Sequence, residues 1–191
     1  MQKSEDKLSM LVEDSYYHDL NVKEKISTRA NVVFTLQIAA ATLIGYLYKN
    51  IDYYGNELAV VTVSLFVGLA IIALVLSVSH SFKSFANGYN YCLLPTASEL
   101  LQYNKKLSEY DPLNSSDMMA NYLNEVFARC SDKNSELNIT RSHHASKAFL
   151  RMKEVVICIL LASLIFFTFN LDLSSERYKL TKSCTSEGYV Q

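Results

Sequence analysis

The stretch Leu58–Ser79, LAVVTVSLFVGLAIIALVLSVS, runs for twenty-two residues without a charged side chain. As a helix rising 1.5 Å per residue it is about 33 Å long, enough to cross the roughly 30 Å hydrocarbon core of a bilayer. A surface helix of a soluble protein keeps one polar face, whereas this one is apolar all round. The stretch therefore predicts a transmembrane helix, and the rest of the chain is read by what precedes and follows it.

Two weaker apolar stretches flank it, Val32–Tyr48 and Val155–Leu171, each of seventeen residues. Either would span with nearly its whole length, the first helped by Arg29 and Lys49 reaching outward from its ends. Residues 49–57 (KNIDYYGNE) join the first two stretches, and Tyr46, Tyr48, Tyr53 and Tyr54 crowd that end as an interfacial aromatic belt does. Residues 32–80 thus predict a transmembrane hairpin and residues 154–172 a third crossing. With two prolines and five glycines in 191 residues, the chain suits long helices. The expected fold is an all-α membrane protein, with three transmembrane helices and a cytosolic helical bundle between the second and third. Little length is left for a separate catalytic domain.

The polar segments carry helical patterns of their own. Leu8, Leu11, Val12, Tyr16 and Leu20 recur at helical spacing, and the nearby Glu13 and Asp14 favour packing on another helix over anionic lipid. Asn21 followed by Glu24 predicts a new helix start of the capping-box type, so residues 1–31 read as a cytosolic amphipathic helix and lead-in. They contain no apolar run of the signal-peptide kind, and insertion is expected to be directed by the spans. Within residues 81–153, Thr96 and Glu99 predict a capping box that opens a helix through about Tyr110, closed by Asp111-Pro112. Met119, Tyr122, Leu123, Val126, Phe127 and Cys130 mark a second helix, Ser131–Asn134 a turn, and Glu136 the start of a helix into the third span. Of the Lys and Arg residues, five precede the first span, one lies in the connection, nine fall between the second and third spans, and three lie in the tail. The positive-inside rule puts residues 1–31 and 81–153 in the cytoplasm and the tail, 173–191, outside. The N-x-S/T tripeptides at Asn114 and Asn138 would then stay unmodified.

Motifs for catalysis are missing: there is no phosphate-cradling glycine loop, no H-E-x-x-H and no nucleophile elbow, so the expected protein is not an enzyme and takes no cofactor. Cys92, Cys130, Cys158 and Cys184 form no C-x-x-C pair and have no histidine at ligand spacing, which predicts four unpaired thiols and no metal. The best polar constellation is Arg141, His144, Lys147 and Arg151, within about a third of a helical circumference, with Asn134, Asn138 and Arg141 along an adjoining line. Several cations on one face bind phosphate through charge-assisted hydrogen bonds, making these four the candidate ligand-binding residues. The alternative has Lys147 and Arg151 at lipid headgroups and Arg141 paired with Glu13 or Asp14. The patch is too small for nucleic acid. Thr28, Thr35 and Thr42 recur every seven residues, and Thr35, Gln37 and Thr42 are the candidate pore-lining residues. Their alternative role is helix packing, with hydroxyls bonded to their own backbone.

Three segments together, LNVKEKISTRAN, YNYCLLPTASELLQYNKKLSEYD and NSELNITRSHHASKA, carry a resemblance. Their layout resembles the small bacterial membrane effectors of antiphage systems, the SLATT-like class, and more specifically the channel-type effectors paired with a nucleotidyltransferase in Hailong defence. The third span departs from the plain SLATT hairpin. The resemblance implies a homo-oligomer in the bacterial inner membrane that conducts ions or permeabilises the bilayer in abortive infection. It also implies control by a nucleotide or oligonucleotide made by the partner enzyme. A hairpin and one further helix cannot enclose a pore, so conduction requires several copies. The other expectation is a non-conducting membrane anchor that recruits a partner through its cytosolic helices.

Overall fold

The computed structural model describes residues 2–85 and 89–174. Four helices follow in order: α1 (Gln2–Asn50), α2 (Glu57–Phe85), α3 (Ala97–Tyr110) and α4 (Ser115–Thr168). Two are long and apolar enough to cross a membrane, Lys7–Asn50 of α1 and the whole of α2, with mean hydropathy 1.6 and 2.9 over their best stretches. The third expected crossing is not shown by the same measure. Arg151, Lys153 and Glu154 crowd the start of the apolar part of α4, and from Val155 to the helix end at Thr168 is only about 21 Å. Of the expected tail, Leu173 and Ser174 are described; the remainder, with Cys184, lies outside the described residues.

Two expected breaks are absent. The helix start at Asn21 is interior to α1, and the turn at Ser131–Asn134 is interior to α4. Residues that favour turns do so because their side chains compete for the backbone. At the second break those side chains have distant partners instead. Ser131 donates to Asp19 Oδ2 at 2.7 Å, and Asn134 exchanges two bonds with the backbone of Cys92.

Burial along the long helices follows steps of three and four. In α1 the buried residues include Ile26, Ala30, Val33, Gln37, Ala40, Ile44 and Leu47; in α4 they include Asn134, Asn138, Arg141, Ala148, Met152, Val155, Ile159, Ala162 and Phe166. That is the average period of 3.5 that keeps one seam of a helix against its neighbours.

The chain forms two compact units, one of residues up to Arg29 with Ser84–His143, the other of Ala30–Lys83 with the residues from His144 on. In the first, Tyr16, Val126 and Cys130 form a small core with Leu20, Tyr122 and Phe127 against it, the Tyr16 and Phe127 rings meeting edge to face. Cys92 and Cys130 are joined in a disulfide, their Cα atoms 4.9 Å apart, which corrects the expectation of four unpaired thiols. The partners are 38 residues apart, so no local motif announces the pair. The segment before α3 runs along α4 and brings them together, while Cys158 is free. The capping box forms as expected: Glu99 N–H donates to Thr96 Oγ1, and Thr96 N–H to Glu99 Oε2 at 2.7 Å. These bonds from the Thr96 backbone and hydroxyl hold the Glu99 carboxyl below its ordinary range.

In the second unit, small residues bring the helices close: Ala40, Ala59, Ala70, Ala73 and Ala162 are all buried among Ile44, Val63, Val155 and Phe166. Such packing suits helices in lipid, where association depends on close van der Waals contact. Asn56 caps α2 through Ala59 N–H. At the end of α4, Leu171 N–H bonds to Phe166 C=O and Asn170 N–H to Phe167 C=O, with Asn170 at φ 52°. This is a Schellman closure with asparagine in the left-handed position. The chain then pairs with the α1–α2 connection: Asp52 N–H donates to Leu171 C=O at 2.8 Å and Leu173 N–H to Asn50 C=O at 2.9 Å. The Asp172 carboxylate accepts from the Tyr46 hydroxyl at 3.0 Å and from the N–H and hydroxyl of Ser174.

Candidate functional site

The four residues of the basic face divide between the two units. Arg141, in the first, is buried, and its guanidinium donates to Ser84 C=O at 3.1 Å, to the Tyr91 hydroxyl at 2.8 Å and to Ser27 Oγ at 3.3 Å. The rings of Tyr89 and Tyr91 lie 5.6 Å from its central carbon. Neither Glu13 nor Asp14 is among these partners. Asn138 donates to Asp19 C=O and accepts from the Tyr91 hydroxyl. The polar line of Asn134, Asn138 and Arg141 is therefore the seam of α4, stitched to α1, to the end of α2 and to the segment that follows it. A guanidinium keeps its charge at any physiological pH, so burying it depends on this ring of acceptors and aromatic faces.

Arg151, in the second unit, is held by Glu154 through two bonds at 2.9 and 2.8 Å. His144 meets a residue that the sequence reading did not include in the site, His80 near the end of α2. The His80 and His144 rings stack with centroids 5.9 Å apart. Lys83 follows His80 by one turn on α2, and Lys147 follows His144 by one turn on α4, so the titratable side chains at this end are basic. The Nδ1 atom of His80 is buried with no hydrogen-bond partner. The signal for His80 was its place, the first titratable side chain after twenty-two residues without one. Periodicity on α4 alone could not reach it.

The candidate pore residues also separate. Thr35 and Thr42 are exposed, and their hydroxyls donate to the carbonyls of Asn31 and Ile38, one turn back. Gln37 faces inward: its amide donates to Ser77 Oγ at 2.8 Å and Ser81 Oγ at 2.9 Å, and Ser77 donates on to Ala148 C=O. Gln37 Oε1 is buried without a partner. Among the described residues no group of His, Cys, Asp or Glu has the arrangement of a metal site.

The class that fold and site define is an all-helical protein with two helices of membrane-spanning length and apolarity. No family model matches the chain, and no curated protein or solved structure matches it either.

Proposed function

We propose that the chain is an integral membrane protein of the bacterial inner membrane that assembles into an ion-conducting or membrane-permeabilising homo-oligomer. The observation that carries this reading is the outward face of α1. Asn31, Thr35, Ala39 and Thr42 fall along one exposed line, opposite the buried seam of Val33, Gln37, Ala40 and Ile44. Lipid-facing helix surfaces are built from large apolar residues, as Leu65, Leu69, Ile72 and Leu76 of α2 are. A line of small and hydroxyl residues suits another helix or water. Two further features support membrane insertion with α4 as a third crossing. Leu160, Leu164 and Phe167 are exposed on α4, and the residues just past its end pair with the connection between α1 and α2. Charge agrees: Asp52, Glu57 and Asp172 outnumber Lys49 at the connection end, while the opposite end is basic, which suits a cytosolic face. Control by a nucleotide, and a role in antiphage defence, rest on the resemblance.

The test is ion flux into liposomes that hold the purified protein. Flux is expected, and Thr35→Leu with Thr42→Leu is expected to abolish it while the protein stays inserted. Flux that is unaltered by these changes, or none from inserted wild type, counts against conduction. A second reading, an anchor that recruits a partner, has its own support in an open groove of about 500 Å³ between α3 and α4, lined by Leu100, Leu101, Met119 and Leu123.

A further inference from the structure

The second unit has an uneven charge distribution. Its described acids are Asp52, Glu57, Glu154 and Asp172, and three of these belong to the connection end. At the opposite end stand His80, Lys83, His144, Lys147, Arg151 and Lys153, with Glu154 as the sole acid among the described residues there. Glu154 is engaged by Arg151. Lys153 lies over the Phe149 ring, 5.2 Å from its centroid. Geometry marks one place at this end: the His80 and His144 rings stack, and the His80 Nδ1 is buried and unmatched, with the exposed Lys147 one turn beyond His144 on α4. Imidazoles placed beside cationic side chains are harder to protonate, and an anion bound among them offsets that cost. Imidazole N–H and ammonium groups are donors suited to the oxygens of a phosphate.

We propose that His80, His144 and Lys147, flanked by Lys83, form a binding site for a phosphate group at the basic end of the membrane unit. The cluster sits where apolar helix gives way to polar helix, at Ser79–His80 on α2 and Lys153–Val155 on α4, which is the depth of phospholipid headgroups. The lipid source of the phosphate rests on the membrane reading above; the phosphate chemistry does not.

The full-length protein, purified in neutral detergent, is mixed with equal amounts of phosphatidylglycerol and phosphatidylcholine, and retained lipid is read by native mass spectrometry. A preference for the anionic lipid on the order of tenfold is expected. The exposed Lys147→Gln change, alone and with His80→Gln, is expected to remove it, and Lys147→Arg to keep it. A parallel arm adds inorganic phosphate: displacement of the lipid, or phosphate bound without lipid, assigns the site to a soluble phosphate group instead. Equal retention of both lipids with no phosphate bound overturns the proposal, as does a preference that survives the double change. Alkaline extraction of the source membranes tests insertion separately. A chain released by it fails the membrane reading, while the inorganic phosphate arm still judges the cluster.

Discussion

Gln37 and Arg141 are polar residues that sequence spacing assigns to ligand or pore and that burial assigns to the seams of their helices. Gln37 spends its amide on Ser77 and Ser81 inside the second unit. Hydrogen bonds between helices in lipid are worth about 0.6 kcal/mol on average, and replacing Gln37 also removes its unmatched Oε1. Gln37→Leu is therefore expected to change stability by no more than about 1 kcal/mol and to leave liposome flux intact, a contrast with Thr35 and Thr42. Arg141→Met strips Ser84 C=O, Tyr91 and Ser27 of a charged donor. A loss of about 2–4 kcal/mol is expected, read as a lowered thermal midpoint in detergent. The pattern behind both was present in the sequence. Residues 134, 141, 148, 155 and 162 lie seven apart, and only the change from Asn and Arg to Ala and Val along them hid a single continuous seam.

Helix type, and the start and end of α3, were legible because apolar periodicity and the Thr96–Glu99 cap are local properties. What was not legible is where the turn signals fail: Asn21 lies within an unbroken helix, Ser131 and Asn134 bond to distant partners within another, and the Cys92–Cys130 bond spans 38 residues with no motif. Joining residues that far apart stabilises a fold by roughly 4 kcal/mol in the loop-entropy account. Cytosolic proteins seldom keep such bonds, whereas purification in air allows them to form. Alkylation after denaturation without reductant is accordingly expected to mark two of the four cysteines in the purified protein. All four are expected to be marked in cells quenched with acid. Two marked in cells would instead put this segment on the oxidising side and reverse the orientation proposed above.

For the whole chain, the asymmetry of basic residues read from the sequence reappears as two oppositely charged ends of the second unit. Sidedness is tested by adding a cysteine at Tyr54, which is exposed in the connection, or at Ser116, which is exposed on α4. Tyr54→Cys is expected to react with an impermeant maleimide in spheroplasts, and Ser116→Cys only once the membrane is opened; the reverse order sinks the orientation. The phosphate cluster was only half legible, because His80 reaches His144 across two helices and no period on one helix reports it. The second unit is also pinned crosswise at two levels, within α1 by the Gln37 amide bonded to two serines and just past its end by Asp52 paired with Leu171. Fifteen residues of helix and connection, about 22 Å if fully helical, separate the two. A piston stroke of α1 past its neighbours would have to break both at once, whereas tilting the unit as a body breaks neither. For the assembly proposed above, the expected moving part is therefore a rocking lever and not a sliding rod.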